Sequence, residues 1–380
     1  MHQQFGVSLS GYTNIASLFL VKSLCELTSG RRLAYIMPSE FLNAGYGKQI
    51  KEILIQDRHL VHLIQLECEQ EAFPDATTSL CILLYDSAKR YDTVSFYTIS
   101  SLTELRGILD SPPLQLVSYE QLHPLDKWGH FFETKQLFSD LSRKHFTSIS
   151  NYGHFSRGIA TGANDFFVLR KSEITKLSLS STEYLSCITK SAQITRAVFT
   201  SDDFHLLEEQ DAPVYLFNAG QEPSSAAKLY IQYGESRGFN HGYITRNRSP
   251  WYKMEQRAPA PIMLNVFSRD GYKVVRNLTT VHSLTSYHCF YPNLYGAPRI
   301  DAIFLYLLSS VGHSILSHSM RKYGNQLVKF EPNDLNQALA PTEAFLDSIP
   351  KSKIDDLTSR LVQGENILSE IDNLFQILFK

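Results

Sequence analysis

The first hundred residues switch between helical and extended spacing. Ile15, Leu18 and Phe19, continuing through Lys22 to Cys25, recur at the helical interval behind Thr13 and Asn14, both good caps. Ser29-Gly30 is a helix stop. Arg32-Leu-Ala-Tyr-Ile-Met37 then reads as a buried strand closed by Pro38. A second helix fits Tyr46 to Gln56, with Ile50, Ile53 and Leu54 on one side, and strands fit Leu60 to Leu66, Ser79 to Tyr85 and Thr93 to Thr98. Strand, helix, strand predicts a parallel sheet with right-handed crossovers. The last two strands lie too close in sequence for a helix between them and are expected to be antiparallel. A parallel sheet has to be covered on both faces. Here it has few strands, and the first is left as an unprotected edge. The segment looks like the end of a doubly wound domain that something else completes.

From about Lys127 the texture changes to proline-containing loops, Tyr- and Thr-rich stretches and short apolar runs. A boundary is placed near Pro112 to Pro124, a helix at Thr134 to Lys144, and a mixed, strand-rich domain from there to Pro341. The tail from Ile354 to Leu378 carries Leu357, Leu361, Ile367, Leu368, Ile371, Leu374 and Phe375 at helical spacing. Gly364 interrupts it, which favours a helix packed on its own domain over a coiled coil. The division expected is 1–125, 126–345 and a C-terminal helix in 346–380.

Composition adds little to this outline. Hydrophobic residues are 43% and charged residues 19%, which fits a packed globular chain and excludes a disordered one. The net charge of -2 does not itself announce a nucleic-acid partner, so any basic surface has to be local. Cys25, Cys68, Cys81, Cys187 and Cys289 form no CxxC pair, which supports neither a zinc site nor a disulfide framework. Scattered thiols, an N-terminus without a signal-peptide pattern and no apolar run of membrane-spanning length together predict a cytoplasmic protein.

Three stretches carry a resemblance. Gly11-Tyr-Thr-Asn-Ile-Ala-Ser-Leu-Phe-Leu-Val-Lys-Ser-Leu24, then Ser29-Gly-Arg-Arg and Pro38-Ser39-Glu40-Phe41-Leu42, is similar to the stretch after the catalytic Asn-Pro-Pro-Tyr motif in gamma-class N6-adenine DNA methyltransferases of the TaqI type. Glu71-Ala-Phe-Pro-Asp-Ala-Thr-Thr-Ser-Leu-Cys-Ile-Leu83 resembles the family's Phe-Pro turn before its seventh strand. Arg157-Gly-Ile-Ala-Thr-Gly-Ala-Asn-Asp-Phe-Phe-Val-Leu169 resembles the opening of its target-recognition domain, with Thr161-Gly162 as a turn. Further segments follow in the family's order: Asn247 to Ile262, Val266 to Arg269, Asn277, a strand with two histidines ending at Tyr291-Pro292, and Lys329 to Leu335. The resemblance implies that Phe73 stacks on the flipped adenine, and that Pro38, Ser39 and Phe41 shape the wall near the active site. A methyltransferase has to extrude its target base, because the exocyclic amine is out of reach inside the duplex. On its own, a phenylalanine beside a turn reads more often as a core residue; the flanking matches favour the stacking role.

The fold class implied is α/β, an incomplete doubly wound methyltransferase sheet followed by a mixed α+β target-recognition domain. Double-stranded DNA is the expected partner. Independently of any family, Arg246 to Arg276 holds Arg246, Arg248, Lys253, Arg257, Arg269, Lys273 and Arg276 against Glu255 and Asp270, with Trp251 and Tyr252 among them. Such a stretch suits phosphate and base-edge contacts, to which Arg157 and Thr161 are added by the resemblance. The competing reading is a solvated face with Arg–Glu pairs.

The sequence departs from the family in one respect. Neither Asn-Pro-Pro nor Asp-Pro-Pro occurs, and the one glycine-rich string near a strand, Gly45-Tyr46-Gly47, follows the Pro-Ser-x-Phe-Leu match, whereas a donor site should precede it. The chain is expected to begin just downstream of the catalytic motif. S-adenosylmethionine is implied as methyl donor, with no cofactor-binding residues in this chain and its site on a partner polypeptide carrying the N-terminal half of the domain. The chain is then one subunit of a split enzyme, inactive alone; a truncated remnant or a free-standing specificity module stays open. A nuclease or hydrolase is disfavoured: Glu67, Glu69 and Glu71 are followed by no suitable lysine, and there is no Gly-x-Ser-x-Gly elbow. His154, His282 and His288 lack a carboxylate or thiol at ligand spacing, so no metal is expected.

Overall fold

The computed structural model describes residues 13–74, 78–132, 145–268, 271–317, 320–322 and 328–379. The helix expected at 134–144 lies outside them. The chain divides into two compact units, Met1–Asp140 with Arg321–Lys329, and Leu141–Met320 with Phe330–Lys380.

In the first unit, α1 (Ile15–Glu26) starts where the sequence places it. The Asn14 side chain accepts a 2.9 Å bond from the Ser17 amide. Then follow β1 (Arg32–Pro38), α2 (Gly47–Asp57), β2 (Leu60–Leu66), the one-turn α3 (Glu69–Ala72), β3 (Leu80–Asp86), β4 (Thr93–Ile99) and β5 (Gln115–Ser118). The sheet order is β1-β3-β2-β4-β5. The expected parallel sheet is corrected to a mixed one. β1 and β2 run in the same direction, but β3 is inserted between them, antiparallel to both, and β2 pairs in parallel with β4. β3 and β4 do run in opposite directions, yet they are not neighbours. Strand directions follow from crossover length, whereas the order across the sheet is set by long-range pairing that local spacing does not encode. Among the described residues β1 pairs only with β3, and so is an edge.

Side chains alternate strictly across this sheet. Cys81, Leu83 and Tyr85 of β3 join Leu20 and Val21 of α1, Ile50 and Leu54 of α2, and Trp128. Leu80, Ile82 and Leu84 face the other way, with Ile64, Tyr97 and Ile99, over Leu102, Leu105 and Ile108. A bulge between Leu60 and His62 resets β2.

The second unit has three layers. A five-stranded sheet is built from β6 (Gly153–Arg157), β9 (Val198–Phe199), β11 (Ile262–Asn265), β12 (Val274–Asn277) and β14 (Tyr287–Pro292), in the order β9-β12-β11-β14-β6. A four-stranded sheet is built from β7 (Val168–Leu169), β8 (Tyr184–Ile188), β10 (Tyr215–Phe217) and β13 (His282–Ser283), in the order β13-β8-β10-β7. The two-histidine strand expected from sequence is thus two strands, one in each sheet. The alternation Ile262, Met263, Leu264 splits the five-stranded sheet between two cores. Ile262 and Leu264 pack with α4 (Ile300–Leu308), α5 (Ser310–Ser317), α6 (Lys351–Val362) and α7 (Leu368–Phe375). Met263, Val275 and Cys289 pack with Phe166, Cys187 and Phe217 of the four-stranded layer and its flank. The C-terminal tail is two helices broken at Gly364, and Leu357, Leu361, Ile371 and Phe375 belong to the same core as Ile262. α4 buries Ala302 through Leu307 on all sides, as a helical stretch apolar all round must. No single helix among the described residues is long and apolar enough to cross a membrane.

Candidate nucleic-acid interface

In the first unit, the C-terminal ends of β1 and β2 lie level with each other. Pro38 and Leu66 both pair with Leu80, the first residue of β3. The Ser39 amide continues the ladder by donating to the Ser79 carbonyl at 2.9 Å. The turns after β1 and β2 therefore emerge at one end of the sheet, where α/β proteins place their ligands. The turn after β1, Ser39–Leu42, buries Phe41 and Leu42 completely in the core. Phe41 thus supports the turn from beneath, and Pro38 and Ser39 are left nearer the surface. The turn after β2 carries α3 and then Phe73. The Phe73 amide closes α3 by donating to Glu69 O at 2.7 Å. Glu71 braces the same turn by accepting from the Leu102 amide at 2.9 Å. Burial pushes the Glu69 carboxyl pKa upward, helped by Glu67. The Phe73 ring is not a core residue: it is 45% exposed. Residues 75–77, which complete its motif, lie outside the described residues.

In the second unit, the basic stretch divides into scaffold and surface. Arg248 donates to the carbonyls of Thr161, at 2.9 Å, and of Ala160. Burial depresses its pKa, partly offset by Glu255. The Glu255 carboxylate accepts from the Ala160 amide at 3.0 Å with one oxygen and from Arg257 at 3.0 Å with the other. Arg257 reaches on to Ser156 Oγ at 2.7 Å. Burial opposes the Arg257 charge, but the bond to Glu255 holds its pKa above the usual arginine value. Lys273 donates to Ile194 O at 2.6 Å, and burial lowers its pKa. Arg276 pairs with Asp301 at 2.6 Å and donates to Pro261 O. Trp251 packs on Phe166, centroids 5.0 Å apart, and its indole N–H donates to Glu235 at 3.0 Å; Tyr252 packs beside it in the same core. Thr161 is buried, and its hydroxyl accepts from the Ala163 amide at 3.1 Å and donates to Asn164. Arg269 lies outside the described residues.

Arg157, Arg246 and Lys253 are the members of the expected set that present an exposed cationic side chain. Arg157 ends β6. Arg246 and Lys253 lie on the loop whose base Arg248 anchors. Gly162, at φ +80°, sits under this loop so closely that a Cβ there would lie 2.7 Å from Ile244 Cβ. Sequence reasoning missed Tyr243, exposed to 76%, which stands at the loop tip under the Arg246 guanidinium, 5.4 Å from the ring centroid. The available signal was that no acid occurs between Glu235 and Glu255.

The histidines are strand residues. His288 Nε2 is 2.8 Å from Phe330 O, and His154 packs on Tyr291. No group of three potential metal ligands occurs among the described residues.

Residues 126–375 match the family model for the C-terminal domain of the Type II methyltransferase M.Eco57I, and residues 1–73 that for the Eco57I restriction-modification methylase. The chain is 35% identical to the Type II methyltransferase M.AccI of Acinetobacter calcoaceticus, over 96% of its own length and 70% of that protein. It is 21% identical to the Type II methyltransferase M.XamI of Xanthomonas campestris pv. amaranthicola, covering 62% of that protein. Among solved structures, the Type IIL restriction-modification enzyme MmeI in complex with DNA shares the fold at a TM-score of 0.57 and 13% identity, over 96% of this chain and 47% of that one. The chain therefore belongs to the Type II DNA methyltransferases of the M.Eco57I family.

Proposed function

We propose that the chain is the DNA-recognition part of an adenine-N6 methyltransferase of a restriction-modification or related defence system, acting on double-stranded DNA in the cytoplasm. On this proposal the first unit is the end of a doubly wound methyltransferase sheet, and the second is the target-recognition domain. The observation that carries it is Phe73: a large aromatic ring held out in solvent on a braced turn, at the end of the sheet where Pro38 and Ser39 also emerge. Such a ring offers a flipped adenine a stacking face worth about 1–3 kcal/mol. Within the second unit, Arg157, Arg246 and Lys253 would contact the duplex through its phosphates, where cations gain by releasing counterions.

S-adenosylmethionine supplies the methyl group in this chemistry, and the described residues do not fit it. In the one glycine string near a strand, Gly47 already packs against Phe41, where a Cβ would lie 1.7 Å from the carbonyl oxygen, and it opens directly into α2. On this proposal the donor site lies on a partner polypeptide carrying the N-terminal half of the domain. Two features favour such a partner. β1 is an edge among the described residues, with Ala34 and Ile36 exposed along it. Ile15 and Phe19 of α1 are exposed as well, and an open apolar edge is a liability unless covered.

The test is methyl transfer from labelled S-adenosylmethionine to mixed-sequence DNA, by this chain alone and with the product of the neighbouring upstream gene. Activity in the mixture only is the expected result. Activity from the chain alone overturns the split-enzyme proposal. Silence in both, with salt-sensitive DNA binding by the chain, leaves a free-standing specificity module.

A further inference from the structure

We infer that the knuckle 238–248 is the element that enters a groove of the duplex, with Tyr243 and Arg246 as a paired wedge. This rests on the DNA-recognition proposal and assigns it to a particular structure. The knuckle is rigid. The buried Thr245 hydroxyl donates to Phe239 O at 2.6 Å and to Gly242 O at 3.2 Å. Asn247 Nδ2 donates to Tyr243 O at 2.7 Å, and the Arg246 amide to Gly242 O at 2.9 Å. Arg248 ties the knuckle's base to residues 160–161, and Gly162 packs against Ile244. The tip is apolar and unburied, Tyr243 at 76% and Ile244 at 37% exposure.

A knuckle held this firmly has no need of an exposed tyrosine for its own stability. The tyrosine presents a flat face, and the Arg246 guanidinium lies over it at 5.4 Å. Arg237 and Lys253 on the flanking chain are also exposed, and the chain from Ser236 to Met254 contains no carboxylate. A rigid aromatic plate on a basic segment that carries no acid of its own matches a polyanion built from flat rings. Duplex DNA has both properties: phosphates for Lys253 and Arg237, base and sugar edges for Arg246 and Tyr243. An acidic peptide would satisfy the charges and leave the ring unused.

The experiment is fluorescence anisotropy of the full chain with random-sequence duplex DNA across a salt series, for the wild type, Tyr243→Ala, Tyr243→Phe, Arg246→Ala and Lys253→Ala. Sequences selected from a randomised library by the wild type and by Arg246→Ala are then compared. Tyr243→Ala is expected to bind about ten-fold or more weakly at unchanged salt slope, with Tyr243→Phe retaining most affinity. Lys253→Ala is expected to flatten the salt slope by about one and weaken all sequences alike, whereas Arg246→Ala relaxes the selected sequence. Both tip residues are exposed, so unchanged melting temperatures verify that the variants fold. Wild-type binding matched by Tyr243→Ala and Arg246→Ala overturns the inference and spares the DNA-recognition proposal. Failure of the wild type to bind DNA at any salt overturns both.

Discussion

Arg248 donates to the backbone carbonyl of Thr161 across 2.9 Å, joining the start of the recognition unit to a loop 87 residues further along the chain. With its second bond, to Ala160 O, it fills the carbonyls of one loop from the other. Glu255 completes the joint from the opposite side by accepting from the Ala160 amide. The most basic-looking segment of the chain is thus in large part a structural clasp, and the exposed cations are the ones this clasp holds in place.

Replacing Arg248 by Ala should therefore act through stability. Two part-buried carbonyls lose a charged donor, and the cost is expected at about 1–3 kcal/mol. Arg248→Lys should recover only part of it, because an ammonium on a flexible stem does not reproduce the fork. Urea denaturation of the isolated chain measures this. An unchanged midpoint for Arg248→Ala would show that the two loops hold together without the clasp.

Phe73 should behave in the opposite way. Its ring is exposed, so Phe73→Ala is expected to shift stability by no more than about 0.5 kcal/mol. Methyl transfer by the assembled enzyme should fall about ten- to a hundred-fold, and Phe73→Tyr or Phe73→Trp should restore much of it. A fluorescent adenine analogue at the target position reports the flipped base directly. Full activity and an undiminished flipping signal in Phe73→Ala would remove the ring from the chemistry.

Gly47 tests the other end of the same region. The start of α2 lies against the Phe41 carbonyl, and an alanine at 47 would bring a methyl within 1.7 Å of that oxygen. The backbone has to move apart, at a cost of about 1–3 kcal/mol or more. The disturbance falls on the turn that carries Ser39, so Gly47→Ala should lower both the denaturation midpoint and methyl transfer. A variant as stable as the wild type would mean that the approach of α2 to Phe41 is looser than the structure has it.

The local elements were legible in the sequence because their signals are local. Asn14 caps α1, Pro38 ends β1, and the runs Leu60 to Leu66 and Thr93 to Thr98 are strands almost to the residue. The order of the strands was not legible, since the insertion of β3 between β1 and β2 depends on pairing between segments far apart in the chain. The same limit applies to the basic stretch. Composition detects arginines, but the partners that occupy Arg248, Arg257 and Arg276 come from residues 160, 156 and 301. Tyr243 was overlooked for the complementary reason. Tyrosines are common in this chain, and the fold shows that Tyr243 is among those left without a core.

Lys51 provides a prediction about pH. Its side chain is almost wholly buried, donating to Leu42 O at 3.2 Å and Asp126 O at 2.5 Å, with the ammonium 5.9 Å from the Trp128 ring centroid. Burial lowers its pKa from 10.5 to about 8, against the pull of Asp126. Below pH 8 the lysine is protonated in both the folded and the unfolded chain, and the full cost of burying the charge is present. Between pH 8 and 10.5 the folded chain gives up the proton first, so the unfolded chain binds more protons and stability rises with pH. The gain from this residue is expected at about 2 kcal/mol between pH 8 and pH 10. The buried hydroxyls of Tyr85 and Tyr119, whose pKa values burial raises, act in the opposite direction at higher pH. The measurement is therefore a comparison of wild type with Lys51→Met, by urea denaturation at intervals from pH 7 to pH 10. The wild type should gain on the variant as pH rises through this window. Parallel curves would mean that Lys51 keeps an ordinary pKa in the folded chain and that its ammonium reaches water.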